Sequence, residues 1–397
     1  MSMVLREVPM FSKVNSMGLQ GFTAHMVEVE CDLSSGLPRF DLVGLPDSAV
    51  SEAKERVRSA IKNCNLEFPV SRITVNLAPA EFKKEGPIYD LPILIAILKS
   101  SKQLSTQIDS SALIGEVALN GEVRRISGVL PMIAEAKRSG IETVYVPEEN
   151  SLEAALIPDI TIYPVKTVSE LLNHLMDKEK ITPLPSLSFE TIRDSLKNSI
   201  SSEITPDFSD VYGQKTARRA LEVAAAGGHN VLLVGSPGAG KSMLAKRLPT
   251  ILPDMTFEEA IESSSIYSVA GALNAEVPLV TERPFRSPHH TTTDIALSGG
   301  GTKAKPGEIS LAHNGVLFLD ELPLFSRAAI ETLRQPLEDG CVTVSRNSVT
   351  ATYPGSIMLV GAMNPCPCGF LYDPIKDCTC TDIAKKHYLS RISGPLL

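Results

Sequence analysis

Positive charge is in short supply in this 397-residue chain: 38 lysines and arginines stand against 46 aspartates and glutamates, a net charge of −8. A protein that coats nucleic acid with an overall basic surface is excluded, although a local basic groove is not. Long apolar runs are also missing. The longest near-continuous one, Leu91 to Leu98, is far too short to cross a bilayer, so no membrane partner is expected. The opening MSMVLREVPMFSK has no apolar stretch suited to a secretory leader, which predicts a cytoplasmic protein. Cysteines number seven, an odd count in a long chain, and this argues against a disulfide framework. Hydrophobic residues make up 43% and charged residues 21%, enough for packed cores and incompatible with wholesale disorder. The length suits two or three domains.

Residues 1–178 alternate strand-like and helix-like segments and predict a mixed α/β domain. His25 to Cys31 alternates, with Val27, Val29 and Cys31 on one face. Val50, Ala53, Val57, Ala60 and Ile61 share a helical face. Arg72–Leu77 reads as a strand and Leu91–Leu98 as a buried helix. Asn120-Gly121 between Val117–Leu119 and Glu122-Val123 predicts a hairpin with a type I′ turn. Residues 179–205, rich in charge, proline and serine, read as a linker with room for one short helix. A second domain spans 206–397, with 17 basic and 19 acidic residues. Neither part is basic.

The second domain carries the chemistry. An apolar run, Asn230 to Val234, suits a buried parallel strand. It is followed by Gly235, Ser236, Pro237, Gly238, Ala239, Gly240, Lys241 and Ser242, a full match to G-x-x-x-x-G-K-[ST]. Glycines in such a loop let backbone N–H groups turn toward phosphates. The lysine reaches the β- and γ-phosphates, and the serine hydroxyl can ligate Mg²⁺. Met243–Leu248 reads as the helix whose N-terminus faces the anion. Downstream, Gly315-Val-Leu-Phe-Leu-Asp320-Glu321 reads as a central strand from whose end two carboxylates emerge. Asp320 is placed to hold Mg²⁺ and Glu321 to polarise the attacking water. A third strand, Ile357 to Ala362, ends at Met363-Asn364, and a polar residue at that tip can orient the water.

Phosphate loop, Asp-Glu pair and strand-end asparagine in this order resemble an AAA+ ATPase. Arg283-Pro-Phe-Arg-Ser-Pro-His-His290, Ala296–Gly301, Leu333–Gly340, Asn364-Pro-Cys-Pro-Cys-Gly369 and Arg391-Ile-Ser-Gly-Pro-Leu-Leu397 narrow the resemblance to the magnesium-chelatase-like ATPases of the YifB/ComM family. Phe40–Pro46 and Val75–Pro79 extend it over the N-terminal domain. The resemblance implies a ring-forming motor, a hexamer of identical chains using ATP and Mg²⁺. Its substrate would be branched or single-stranded DNA, remodelled by branch migration or unwinding in natural transformation and recombination. It also implies that Val211 and Tyr212 line the adenine pocket. A small helical lid and a trans-acting arginine are expected beyond Leu397, so that these 397 residues bind ATP but hydrolyse it feebly and assemble poorly. A motor acting on a protein partner, as in magnesium chelatase, and a nucleotide-gated binding module are the rival readings.

The N-terminal domain resembles a Lon-type protease domain (the S5-domain-2-like fold) in Lys83-Lys-Glu-Gly-Pro87 and the helix Gly128–Gly140. Where that family has its nucleophilic serine and catalytic lysine, this chain has Ile88 and Leu130. Neither can form a Ser–Lys dyad, so no protease is expected. Asp90 is read as a helix N-cap, with a polar anchor as the alternative.

Four of the seven cysteines fall within fifteen residues: Cys366, Cys368, Cys378 and Cys380. Thiolates at this density suit a structural Cys₄ zinc site, though C-x-C is tighter than the usual C-x₂-C; free thiols and disulfides are the other readings. Cys31, Cys64 and Cys341 read as buried core residues. For the loop of His289 and His290, with Arg283 and Arg286, the family resemblance implies an insertion facing the ring pore, where basic and hydroxyl groups would track a phosphate backbone; a solvated loop or subunit contact is the other reading, and Lys303 and Lys305 are read with the same surface.

Overall fold

The computed structural model of the chain describes residues 10–200, 206–274, 276, 278–301, 304–346 and 349–392. The first nine residues, the end of the predicted linker, Lys303 and the closing Ser-Gly-Pro-Leu-Leu lie outside the described residues. Two compact units make up the chain. The first takes in residues 1–192 and 271–278, the second residues 193–270 and 279–397. A twelve-residue helix, Phe189–Ile200, stands in the segment read as a linker.

The first unit is built on seven strands: β1 (Met10–Gln20), β2 (Thr23–Ser34), β3 (Arg39–Val43), β4 (Arg72–Ala78), β5 (Ser111–Leu113), β6 (Thr143–Pro147) and β7 (Thr161–Val165). They lie in the order β3-β4-β2-β1-β5-β6-β7. β2 runs antiparallel to β1 and β4, and the remaining pairs are parallel. Alternation sets the faces: Val27, Val29, Cys31 and Leu33 are buried while Asp32 is exposed. Helix Asp90–Ser100 lies in the core save for half-buried Lys99, with Leu91 and Ile93 through Leu98 at 1% exposure or less and Pro92 also buried. Its last polar group is satisfied in the core, since Ser100 donates to Ser12 Oγ and to the Cys31 carbonyl.

Three expectations are corrected here. Asp90 is not the N-cap of that helix; Tyr89 holds the position without a side-chain bond. Asp90 instead accepts two bonds from Arg56, at 2.6 and 3.0 Å, and one from the Val117 N–H at 3.2 Å. It is the polar anchor, fully buried and paired with a guanidinium. The hairpin at Asn120-Gly121 exists, but its strands are Glu116–Val117 and Val123–Arg124, which leaves a five-residue loop. Gly121 has φ +87 and Asn120 no positive φ, so the two-residue type I′ turn is not formed. Of Cys31, Cys64 and Cys341 only Cys31 is buried. Cys64 caps the end of helix Ala53–Asn63 and Cys341 begins a hairpin strand, positions that leave one side open.

The second unit has a parallel sheet of β8 (Val231–Val234), β9 (Phe285–Arg286), β10 (Val316–Leu319) and β11 (Met358–Met363), in the order β8-β11-β10-β9. β10 and β11 are buried at every position, as a strand between two parallel neighbours requires. β8 departs from the expectation of burial: Leu232 and Val234 are 36% and 53% exposed, because β8 has a neighbour on one side only. Phe318, Val360 and Ala362 pack against helices Lys215–Gly227 and Lys241–Arg247 through Leu221, Ala225, Leu244 and Ala245. β9 approaches β10 so closely that a Cβ on Gly315 would stand 2.1 Å from the Pro284 carbonyl oxygen.

Candidate functional site

Three parallel strands deliver their C-terminal ends to one place. β8 passes into the glycine loop, and Gly235 still donates to the Met363 carbonyl at 3.3 Å, which ties the loop to the end of β11. Gly238 and Gly240 then take φ of +79 and +86, a region that a side chain would oppose. Gly240 is the N-cap of helix Lys241–Arg247. The N–H groups of that first turn have no helical acceptor and face an incoming anion.

Lys241 curls back over the loop. Its ammonium donates to the carbonyls of Gly235 at 2.7 Å and Ser236 at 3.0 Å, and to Asn364 Oδ1 at 3.2 Å. Partial burial pushes its pKa down, while the Asp320 carboxylate acts in the opposite direction. Ser242 Oγ donates to Asp320 Oδ2 at 2.6 Å. Asp320 Oδ1 in turn accepts from the Glu321 N–H at 2.9 Å. The five residues read from sequence as phosphate-, metal- and water-handling groups, Lys241, Ser242, Asp320, Glu321 and Asn364, thus converge at the ends of β8, β10 and β11.

Glu321 sits in the left-handed region at φ +52, uncommon for a side-chain-bearing residue, and half its side chain is exposed. His290 Nδ1 lies 3.4 Å from Glu321 Oε2. Sequence reasoning missed this contact; the two residues are thirty-one apart, and no spacing rule links a loop to a strand end. The neighbouring arginines are used internally. Arg283 grips Glu259 and the carbonyls of Pro253 and Asn314, and Arg286 forms a two-pronged pair with Glu308 at 2.7 and 2.8 Å. Lys305 remains on the surface. Val211 and Tyr212 are not brought together: Val211 is buried in the core beside Phe208, and Tyr212 is 91% exposed. Arg391 donates to the Pro323 carbonyl at 3.2 Å, bracing the turn that follows Glu321.

The donor set fits the ligands that a phosphate loop implies. Ser242 and Asp320 offer two hard oxygens side by side, suited to Mg²⁺, and Lys241 offers the cation for polyphosphate.

A second cluster lies close by. The sulfurs of Cys366, Cys368, Cys378 and Cys380 all fall within 4.8 Å of one another. Cys366 Sγ is 3.3 Å from Cys368 Sγ and 3.6 Å from Cys378 Sγ, and Cys368 and Cys378 are also 3.6 Å apart. All four are free thiols. Four thiolates around one zinc ion at about 2.3 Å would be about 3.8 Å apart, so the cluster has the size for a single tetrahedral ion. The Phe370 N–H leads the interactions that hold the Cys368 thiol down to about 6, and burial pushes Cys380 up to about 11.

Comparison with known proteins places these features. Residues 207–397 match the family model described as magnesium chelatase, subunit ChlI, and residues 29–150 match that of subunit ChlI of Mg-chelatase. The chain is 45% identical to the competence protein ComM of Haemophilus influenzae over 384 residues, covering 96% of this chain and 73% of that protein. It is 43% identical to the uncharacterized protein YifB of Escherichia coli, covering 97% of this chain and 74% of the relative. The chain belongs to the YifB/ComM family. A more distant match, 31% over 163 residues, is to the magnesium-chelatase 67 kDa subunit of Chlorobaculum parvum, covering 40% of this chain and 23% of that protein. YifB/ComM membership, a mixed α/β fold with a parallel sheet and the phosphate loop together make the chain an AAA+-type ATPase, with ATP and Mg²⁺ as its cofactors. No helix among the described residues is long and apolar enough to cross a membrane.

Proposed function

We propose that the chain is the motor of a Mg²⁺-dependent ATP-hydrolysing ring of the ComM type that remodels branched or single-stranded DNA. The observation that carries the ATPase part is the convergence of Lys241, Ser242, Asp320, Glu321 and Asn364 on one end of a parallel sheet. In this reading Gly235–Ser242 cradle the triphosphate and Lys241 leaves its carbonyl partners for the β- and γ-phosphates. Ser242 and Asp320 hold the metal, whose charge would offset that of the phosphates when bound. Glu321 takes the proton of the attacking water, and Asn364 orients that water. A hexameric ring is the assembly in which AAA+ motors act, and the proposal includes it.

DNA as the substrate rests on the competence protein among the relatives. A motor acting on a protein is the second reading. It is favoured by the net charge of −8 and by the internal pairing of Arg283 and Arg286, which removes two cations from the loop expected to meet phosphates. ATP hydrolysis measured with branched DNA, with single-stranded DNA and without DNA separates the two. Stimulation by DNA supports the first, and an identical rate in all three arms overturns it.

For the first unit the proposal is a Lon-like scaffold that lacks the Ser–Lys dyad. Ile88 and Leu130, at the places of the dyad, are buried apolar side chains at 8% and 0% exposure. For the four cysteines the proposal is a structural zinc ion, favoured by sulfur spacings that suit one tetrahedral centre and leave no open position.

A further inference from the structure

The cysteine cluster and the phosphate loop share a wall. Cys366 follows Asn364 by two residues, and Asn364 is a partner of the Lys241 ammonium. Gly369, with φ +86, presses against the loop: a Cβ there would stand 2.6 Å from Pro237 Cδ and 2.8 Å from Cγ. Its N–H donates to the Cys366 carbonyl at 2.9 Å, so the residue that meets Pro237 is itself anchored to the first cysteine. Four residues further on, the Asp373 carboxylate accepts from the N–H groups of Ile375 and Lys376, which closes the turn that follows. Pro237 of the phosphate loop is therefore backed by the segment between the cysteine pairs.

That segment has little hydrophobic packing to keep it in place. Tyr372 and Ile375 are 82% and 90% exposed, and residues 374–377 all lie at the surface. Local turn bonds remain, together with whatever joins Cys366-Pro-Cys368 to Cys378-Thr-Cys380. A chain segment of this kind loosens when its crosslink is removed, because turn bonds and the Lys376–Phe370 contact offset little of the entropy of ordering it.

We propose that the four-thiolate metal site is a brace for the nucleotide pocket. The ion held by Cys366, Cys368, Cys378 and Cys380 fixes the segment that carries Gly369 against Pro237, and nucleotide affinity depends on its presence. This rests on the readings above of the cysteines as a zinc site and of Gly235–Ser242 as the ATP site.

The test uses the full chain, Zn²⁺ as the metal probe and a fluorescent ATP analogue at constant Mg²⁺. Elemental analysis is expected to find about one zinc per chain. Stripping it with a chelator, then removing the chelator, should raise the nucleotide Kd roughly tenfold, and Zn²⁺ alone should restore it. Gly369→Ala, which keeps all four sulfurs but drives a methyl into Pro237, should retain zinc and still weaken nucleotide binding. An unchanged Kd after zinc removal overturns the brace and leaves the zinc site standing. No zinc in the protein overturns both. Absence of nucleotide binding by the zinc-loaded chain overturns the brace together with the ATP-site reading. If circular dichroism shows that stripping unfolds the chain, Gly369→Ala decides alone: zinc content and Kd both equal to the parent's overturn the brace.

Discussion

Lys241 is the residue on which most of the site turns. Its ammonium is held by two loop carbonyls and an asparagine oxygen, with no carboxylate in direct contact among the described residues, so the cation is poised to exchange weak neutral acceptors for phosphate. Lys241→Ala is expected to abolish ATP binding in a calorimetric titration, and a parent-like Kd would remove the residue from the phosphate site. Glu321→Gln keeps size and hydrogen-bonding capacity while deleting the base. It should bind ATP normally and hydrolyse it roughly 10²–10⁴-fold more slowly; a parent rate would reassign the base. His290 touches the same carboxylate, so His290→Ala should change kcat more than nucleotide Kd. In the first unit, Asp90→Ala would strand the Arg56 guanidinium among buried neighbours. Urea denaturation should register a loss of about 3 kcal/mol.

At the scale of elements, the parallel sheet of the second unit is tightest where β9 meets β10. Gly315 does not need positive φ; it needs the absence of a side chain, because the Pro284 carbonyl occupies the space. Gly315→Ala must push β9 from β10, the strand that positions Asp320. A destabilisation of about 1–3 kcal/mol is expected, with a lower urea midpoint as the readout. The cysteine segment is an element of another kind, a loop whose order comes from its ends. Cys378→Ser/Cys380→Ser should lose the metal in elemental analysis while the far-UV circular dichroism of the sheets persists, since the thiols lie outside both strand systems. Metal-free parent protein would end the zinc reading.

For the whole molecule, assembly and substrate binding are read out through nucleotide state and salt. If ATP-bound chains form a ring, the Glu321→Gln variant, which holds ATP longest, should sediment as an oligomer in ATP and as a smaller species without it. A single species under both conditions would count against a nucleotide-gated ring. Should DNA stimulate the ATPase, the effect should fade steeply with salt, because a chain of net charge −8 can reach phosphates only through local cations.

The amino-acid sequence by itself determined which residues meet at the candidate site of the second unit. The phosphate loop is contiguous, and its glycines, lysine and serine have roles set by local backbone conformation, so their order along the chain suffices. The same holds for Asp320 and Glu321, which leave a strand made of four apolar residues, and for Asn364 at the tip of the next one. Buried helices and strands of the first unit were legible for a related reason, since alternation and helical period are local properties of the chain. What only the tertiary structure decided lies between elements. Asp90 looked like a cap because its sequence neighbours make a helix start; its partner Arg56 belongs to another helix and arrives by packing. Exposure of β8 follows from its place at the sheet edge, and edge or centre depends on strand order rather than composition. The partners of Arg283 and Arg286 were not legible either, since Glu259 and Glu308 lie more than twenty residues away and meet them only across the fold. His290 beside Glu321, and Gly369 against Pro237, are contacts between segments that share no spacing rule, so folding alone could place a histidine on one catalytic candidate and a four-cysteine segment behind the phosphate loop.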